Sequence, residues 1–322
     1  MKKYIVSIDF GGTKVLSALT DESNQIISKI KIATDISKGV DILLNSIANS
    51  VLNLMTQTAI SKDEIKAIVI GVPGAVNPFT GIVGNAPNLG LTNINIKEEI
   101  EKRINIPVLI ENDVNLGAIG ILGKELKEDA KNVLVVFIGT GIGGALIFDR
   151  KIYRGSNYFA GEIGHMKILG EKDICGCGAK GCFEAVASRT AMARDILKEL
   201  KRGQKTSITK VLTENKKIKS KALKFALKEK DPLVTKIVKD KSIIIGKQLG
   251  SITNLLNVDT IVLGGGVTEA LGKYIVPWIK KGFKETVLED LKTVDIFATE
   301  LGDDAAIYAG YYLYDEMKDL IK

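Results

Sequence analysis

One histidine and three cysteines are the whole soft-ligand complement of this 322-residue chain, and all four fall between His165 and Cys182. Their spacing is H-x9-C-x-C-x4-C. Three thiolates and one imidazole make a closed tetrahedral set for zinc, with no position left open for water. Gly176, Gly178 and Gly181 stand between the ligands, where a small metal loop needs tight turns. A loop of free thiols beside an unrelated histidine is the other reading of the same residues. Two acids flank the window, Glu162 before His165 and Glu184 after Cys182.

A second group is "ENDVN", with Asn112 and Asp113 at the end of the apolar run "PVLI". A carboxylate there can accept a proton from an attacking hydroxyl. Read locally, the same residues are a polar strand end, with Asp113 capping the helix "VNLGAIGIL". A third group is three glycine-rich turns after strand-like runs: "DFGGTK" at 9–14, "GTGIGG" at 139–144 and "GGG" at 264–266. Glycine turns let backbone N–H groups approach phosphate oxygens closely. "GTGIGG" satisfies the dinucleotide pattern G-x-G-x-x-G, but that motif needs a helix directly after the glycines. The β-type run "ALIFDRKIY" follows instead, so the turn reads as a hairpin. No G-x-x-x-x-G-K-[ST] motif exists in the chain.

The elements that must position these groups alternate between strand and helix. "YIVSIDF", "VLSALTD" and "QIISKIKI" read as strands, and 40–58 reads as a long amphipathic helix. "IKAIVIGVPG" is a buried strand, "NIKEEIEKRI" a helix capped by Asn95, and "PVLIEND" another strand. "VLVVFIGTGIGGALIFDRKIY" repeats the plan of the N-terminus about 130 residues later: strand, Gly/Thr turn, strand, polar turn, strand. Helices dominate after residue 186. "DTIVLGGG" returns as a strand with a glycine turn, "VDIFATE" as a further strand, and "DDAAIYAGYYLYDEM" closes as a helix. The class is α/β.

Composition excludes several functions. Hydrophobic residues make up 45% and charged residues 26%, a globular balance. No run approaches the ~18 apolar residues of a membrane span. "MKKYIVSIDFGG" reaches an acid and two glycines too soon for a signal peptide, so a cytoplasmic protein is expected. The odd cysteine count argues against a secreted disulfide framework. The net charge of +7 is concentrated at 198–241, which holds 15 Lys/Arg against 5 Asp/Glu. One aromatic and no DNA-reading motif in that stretch favour a solvated helical surface over a nucleic-acid face.

Two phosphate hairpins in a duplicated α/β frame are similar to the sugar kinase/heat-shock/actin superfamily. "IDFGGTK", "GVPGAV", "NAPNLG", "ENDVN", "GTGIGG", "AGEIGH", "CGCGAKGCFE", "LGGGV" and "GDDAA" occur in the order of one branch. Over essentially its whole length the chain resembles the ROK (repressor, open reading frame, kinase) family, and within it the bacterial glucokinases. The resemblance implies a two-domain actin-like ATPase fold built from a duplicated hairpin-containing unit. It places a small domain at 1–115, with the helix 303–322 returning to it, and a large domain at 116–302. It implies transfer of the γ-phosphate of ATP to the 6-hydroxyl of glucose, with Mg²⁺ as companion ion and a structural zinc on His165, Cys175, Cys177 and Cys182.

The same resemblance makes Asp113 the base. The sugar would be held by Gly74, Asn88, Asn112, Asp113, Glu162, His165 and Glu184, with one nitrogen of His165 toward the metal and the other toward a hydroxyl. Asp9 would hold Mg²⁺ through water, with Gly11, Gly12, Thr13 and Lys14 as its hairpin. Gly139, Thr140 and Gly141 would grip phosphates, and Gly265 and Gly266 would lie near the adenosine. N-acetylmannosamine and N-acetylglucosamine kinases share most of these motifs. "DFGGTK" with three cysteines disfavours fructose. A transcriptional regulator of the family needs a helix-turn-helix for which residues 1–8 leave no room. The expected partners are sugar and ATP, without nucleic acid or membrane, in a homodimer or homotetramer.

Overall fold

The computed structural model describes residues 2–12, 14–33, 39–86, 89–212 and 217–321. It divides into two units: Met1–Lys127 with Arg154–Ala160 and Asp303–Lys322, and Glu128–Tyr153 with Gly161–Gly302.

Period-two alternation builds the sheet of the first unit. In Tyr4–Phe10 (β1), Val6, Ile8 and Phe10 enter one core, while Ile5 and Ser7 face Gly310 on the other side. Lys14–Thr20 (β2) pairs antiparallel with β1, and Ile26–Ala33 (β3) antiparallel with β2. Val40–Thr58 (α1) then covers the sheet through Ile47, Val51 and Leu54, whose helical spacing places them on one buried face. Ile65–Val72 (β4) returns parallel to β1. Ile82–Ala86 (β5) and Leu91–Asn95 (β6) form a separate hairpin. Asn95 caps Ile96–Ile104 (α2), its Oδ1 accepting the N–H of Glu98 at 3.1 Å. Val108–Asn112 (β7) lies parallel to β4, giving the order β3-β2-β1-β4-β7. Asp113–Lys124 (α3) starts where β7 ends.

The second unit repeats this order. Val133–Ile138 (β8), Ile142–Phe148 (β9) and Lys151–Tyr153 (β10) are its antiparallel meander. Phe183–Ala187 (α4), Arg189–Lys201 (α5), Ser220–Lys228 (α6) and Pro232–Leu256 (α7) follow. Thr260–Gly264 (β11) runs parallel to β8, Gly265–Lys284 (α8) leaves it, and Asp295–Ala298 (β12) completes β10-β9-β8-β11-β12. One strand order occurring twice is the duplicated hairpin frame, and the fold is the two-domain actin-like ATPase fold. Ala305–Tyr308 (α9) and Gly310–Met317 (α10) belong to the first unit.

Two expectations change. Residue 115 is no boundary, because it lies inside α3, and the first unit runs on to Lys127. The closing helix is interrupted at Ala309. The glycine turn at 264–266 leads directly into α8, which begins at Gly265. Gly265 has φ +84°, and a Cβ there would meet the backbone of Ile138 at 2.7–3.0 Å, so only glycine fits the junction. "GTGIGG", by contrast, is the β8–β9 hairpin that its sequence predicts.

Candidate active site

In the first unit the carboxyl ends of the parallel strands bring candidates together. Asp9 of β1 is level with Gly71 of β4, and Gly71 with Glu111 of β7. A Cβ on Gly71 would come within 3.3 Å of the Cα of Asp113, so glycine lets α3 start close to the sheet. Asn112 is the N-cap of α3, its Oδ1 accepting from Val114 N (2.9 Å) and Asn115 N (3.1 Å). The cap is therefore Asn112 rather than Asp113, because Asp113 already stands in the first helical turn. Asp113 Oδ1 accepts from Val114 N at 3.0 Å. Asn112 Nδ2 donates to Gly74 O at 3.1 Å, so Gly74 (φ +99°) and Asn112 form one cluster with Asp113.

At the β1–β2 turn the N–H of Gly11 donates to Lys14 O at 2.9 Å. That amide closes the turn. Lys14 Nζ is paired with Asp303, which Lys31 also reaches at 3.4 Å, while Lys29 pairs with Asp304 at 2.9 Å. Burial pushes the Asp9 carboxyl up to about 6, against the opposing pull of Lys14. Gly12 lies at the bend of the turn, and Thr13 and Asn88 fall outside the described residues.

In the second unit the four soft ligands converge. Donor atoms of His165, Cys175, Cys177 and Cys182 lie within 4.8 Å of one another. Cys177 Sγ is 3.7 Å from Cys182 Sγ, and Cys175 Sγ is 3.7 Å from His165 Nδ1. Tetrahedral zinc with Zn–S bonds of ~2.3 Å has ligand edges of ~3.8 Å. The donor set therefore fits zinc in type, number and spacing. The loop is shaped by Gly178 (φ +85°) and Gly181 (φ +71°), and a Cβ on Gly181 would meet Glu171 O at 2.7 Å. Gly176 is absent from the positive-φ glycines and sits in the turn that Gly178 N–H closes on Cys175 O at 2.9 Å. Burial pushes the Cys175 thiol up to about 12, with Glu184 adding to it. The Ala179 backbone N–H pulls the Cys177 thiol down to about 7.

The flanking acids join this cluster. His165 turns Nδ1 to the thiols and Nε2 toward Glu162 Oε2 at 3.7 Å. Burial raises the Glu162 carboxyl, and the charge on Glu184 raises it further, against the pull of His165. Glu184 Oε1 accepts from Cys175 Sγ at 3.0 Å, and its Oε2 occupies the space a side chain on Gly141 would need. The metal loop and the β8–β9 turn are thus joined through one carboxylate. Gly139 N–H donates to Gly141 O at 2.9 Å, while the space beside the Gly139 and Gly266 α-carbons is open.

Four residues escaped the sequence reading. Arg189 Nη2 donates to Thr140 Oγ1 at 2.6 Å and brings a cation to the second turn. Asp303 does the corresponding work on Lys14. "GDDAA" signals Asp303. Glu111 opens "ENDVN" but was given no role, and Arg154 carries no local signal.

The ROK family profile matches residues 5–316. The chain belongs to the ROK family. It is 28% identical to a glucokinase of Halalkalibacterium halodurans over 319 residues, 98% of this chain and 96% of that protein. It is 27% identical to an N-acetylmannosamine kinase of Vibrio cholerae over 278 residues, 83% of this chain and 85% of the relative. Its structure is similar to that of a ROK family glucokinase from Streptomyces griseus in complex with glucose and AMPPNP. The TM-score is 0.84 at 26% identity, covering 97% of this chain and 99% of that one.

Proposed function

We propose that this ROK family member is an ATP-dependent sugar kinase that phosphorylates the 6-hydroxyl of glucose. The observation that carries the reading is the gathering of Asp9, Gly74, Asn112 and Asp113 along the carboxyl ends of β1, β4 and β7. Ligands of open α/β sheets bind at this edge. The glucokinase relative of nearly equal length supports glucose as the acceptor.

A sugar hydroxyl is a weak nucleophile, so the reaction needs a base and charge neutralisation. Asp113 takes the hydroxyl proton while the oxygen bonds to the γ-phosphorus and the bond to ADP breaks. In the first unit Asn112 and Gly74 are the candidate partners of sugar hydroxyls; in the second unit Glu162, His165 and Glu184 are candidates of the same kind. Coordination of Nδ1 to zinc would fix the imidazole and leave Nε2 as the hydroxyl partner. A buried carboxyl pushed up to about 6 fits a cation site, since a cation favours its charged form, and Asp9 would hold Mg²⁺ through water. Mg²⁺ supplies charge neutralisation on the phosphates. In the first unit the Gly12 backbone, with Lys14 beside it, is a candidate phosphate contact; in the second unit the backbone and hydroxyl groups of Thr140, Gly141, Gly265 and Gly266 are candidate nucleotide contacts.

Asp113→Asn tests the base. It keeps shape and hydrogen-bonding capacity but cannot accept the proton. Sugar binding should stay within about tenfold while kcat falls by roughly 10²–10⁴. Near-normal turnover would remove Asp113 from the chemistry. The N-acetylmannosamine kinase relative gives a second reading of the acceptor, distinguished by a substrate panel.

A further inference from the structure

We infer that Glu111 and Arg154 form a buried clamp that positions the Asp113 carboxylate; the inference rests on Asp113 being the base. Glu111 is the residue before the cap Asn112, and its side chain is 1% exposed. It lies inside the unit and has no access to substrate. Its Oε1 accepts from the Asn112 backbone N–H at 2.9 Å and from Asn115 Nδ2 at 3.1 Å. One carboxylate oxygen thus holds residues on both sides of Asp113. Its Oε2 accepts from Arg154 Nε at 2.7 Å.

Arg154 is 43 positions further along the chain, at the head of the segment Arg154–Ala160 that belongs to the first unit. Its Nη1 donates to Glu316 Oε1 of α10 at 2.8 Å. Its Nη2 is buried and has no hydrogen-bond partner among the described residues. The segment is held locally by Ala160 N–H to Arg154 O at 3.1 Å and by the ring contact of Tyr158 with Phe79.

Stability does not account for this arrangement. A buried ion pair contributes little net stability against a well-packed apolar pair, and an unsatisfied buried N–H is a cost. What the pair provides is geometry. A carboxylate with both oxygens committed to three donors is held in one orientation, and so is the strand–helix junction it holds. Proton transfer depends on that junction, since a misplacement of ~1 Å can cost ~10²-fold in rate. Glu111 and Arg154 act through Asp113 and are positioning residues.

The test combines Glu111→Leu with Arg154→Met, so that no charge is left buried alone and the fold survives. The expected result is a folded protein with kcat down ~10–100-fold and KM for ATP within about twofold of wild type. Arg154→Lys alone, which keeps a cation beside Glu111, should lose less kcat than the double variant. The decisive arm repeats the double substitution in the Asp113→Asn background. With no base left to place, the further loss there should stay below about twofold. An unchanged kcat in the double variant overturns the inference. So does an equal fold-loss with and without the Asp113 carboxylate, which is the behaviour of a structural brace. Wild-type turnover in Asp113→Asn alone would overturn the base assignment, and the clamp with it, through a different variant.

Discussion

Cys177 is the exposed cysteine of the four-ligand set, and the set has no spare ligand. Cys177→Ser should therefore release most of a zinc content of about one per chain and lower the melting temperature, because structural-metal binding is partly folding energy. Elemental analysis and a thermal melt read both effects, and a wild-type protein free of zinc contradicts the assignment. Asp9 gives a prediction with a sign. Its folded pKa, about 6, lies above the 3.8 of the free side chain. The folded state then binds the proton more tightly, so charged Asp9 destabilises the fold. That penalty is absent below pH 3.8, grows up to about pH 6 and is complete above it. Asp9→Asn should thus stabilise the ligand-free protein at pH 8 and leave it unchanged below pH 3.8. The gain is at most about 3 kcal/mol, an upper bound because part of the residue meets solvent. Equal melting shifts at both pH values would contradict a buried, charge-penalised Asp9. Residues close in sequence, such as His165 and the three cysteines, were legible as a site because one loop carries them. Glu111 with Arg154, and Thr140 with Arg189, were not. Their partners stand 43 and 49 positions apart, and only the tertiary fold chooses which charge a carboxylate or hydroxyl meets.

The elements were legible where a period or a cap imposed them. β-type runs between turns marked β1, β2 and β3, helical spacing marked α1, and Asn95 marked the start of α2. The repeated hairpin plan was legible because the glycine turns recur at the same place in each sheet. At Gly264–Gly266 the strand and its glycine turn were legible but the helix that follows was not, since a glycine run looks the same before a helix as before a strand. What selects the helix is the packing of Gly265 on Ile138. Glycines also set the approach of α7 and α8. A Cβ on Gly282 of α8 would collide with the backbone oxygen of Ile243 in α7, and one on Gly246 with that of Ile279. Backbone atoms cannot rotate aside, so Gly282→Ala should separate the helices and cost roughly 1–3 kcal/mol. Urea unfolding measures it. An unchanged midpoint would show that α7 and α8 do not pack this closely.

The charge of the whole molecule is +7, and its excess lies in 198–241. Lys230, Lys236 and Lys239 of that stretch line a cleft of about 580 Å³ with Tyr274 and Trp278, and the cleft shares no residue with the candidate site. Among the described residues no helix is long and apolar enough to cross a membrane. The account therefore stands on the proposed sugar partners, Asn112 in the first unit and Glu162, His165 and Glu184 in the second. A group of this kind left unpaired costs binding in the transition state, which is how such a site discriminates. Related acceptors separate on this ground. The most direct measurement is the rate of phosphoryl transfer from Mg²⁺-ATP to glucose, fructose, N-acetylmannosamine and N-acetylglucosamine, with the phosphorylated product identified. The account predicts glucose 6-phosphate formed with the highest kcat/KM and fructose a poor acceptor. A tenfold preference for either N-acetylhexosamine would contradict the glucose assignment, and phosphoryl transfer to none of the four would contradict the kinase itself.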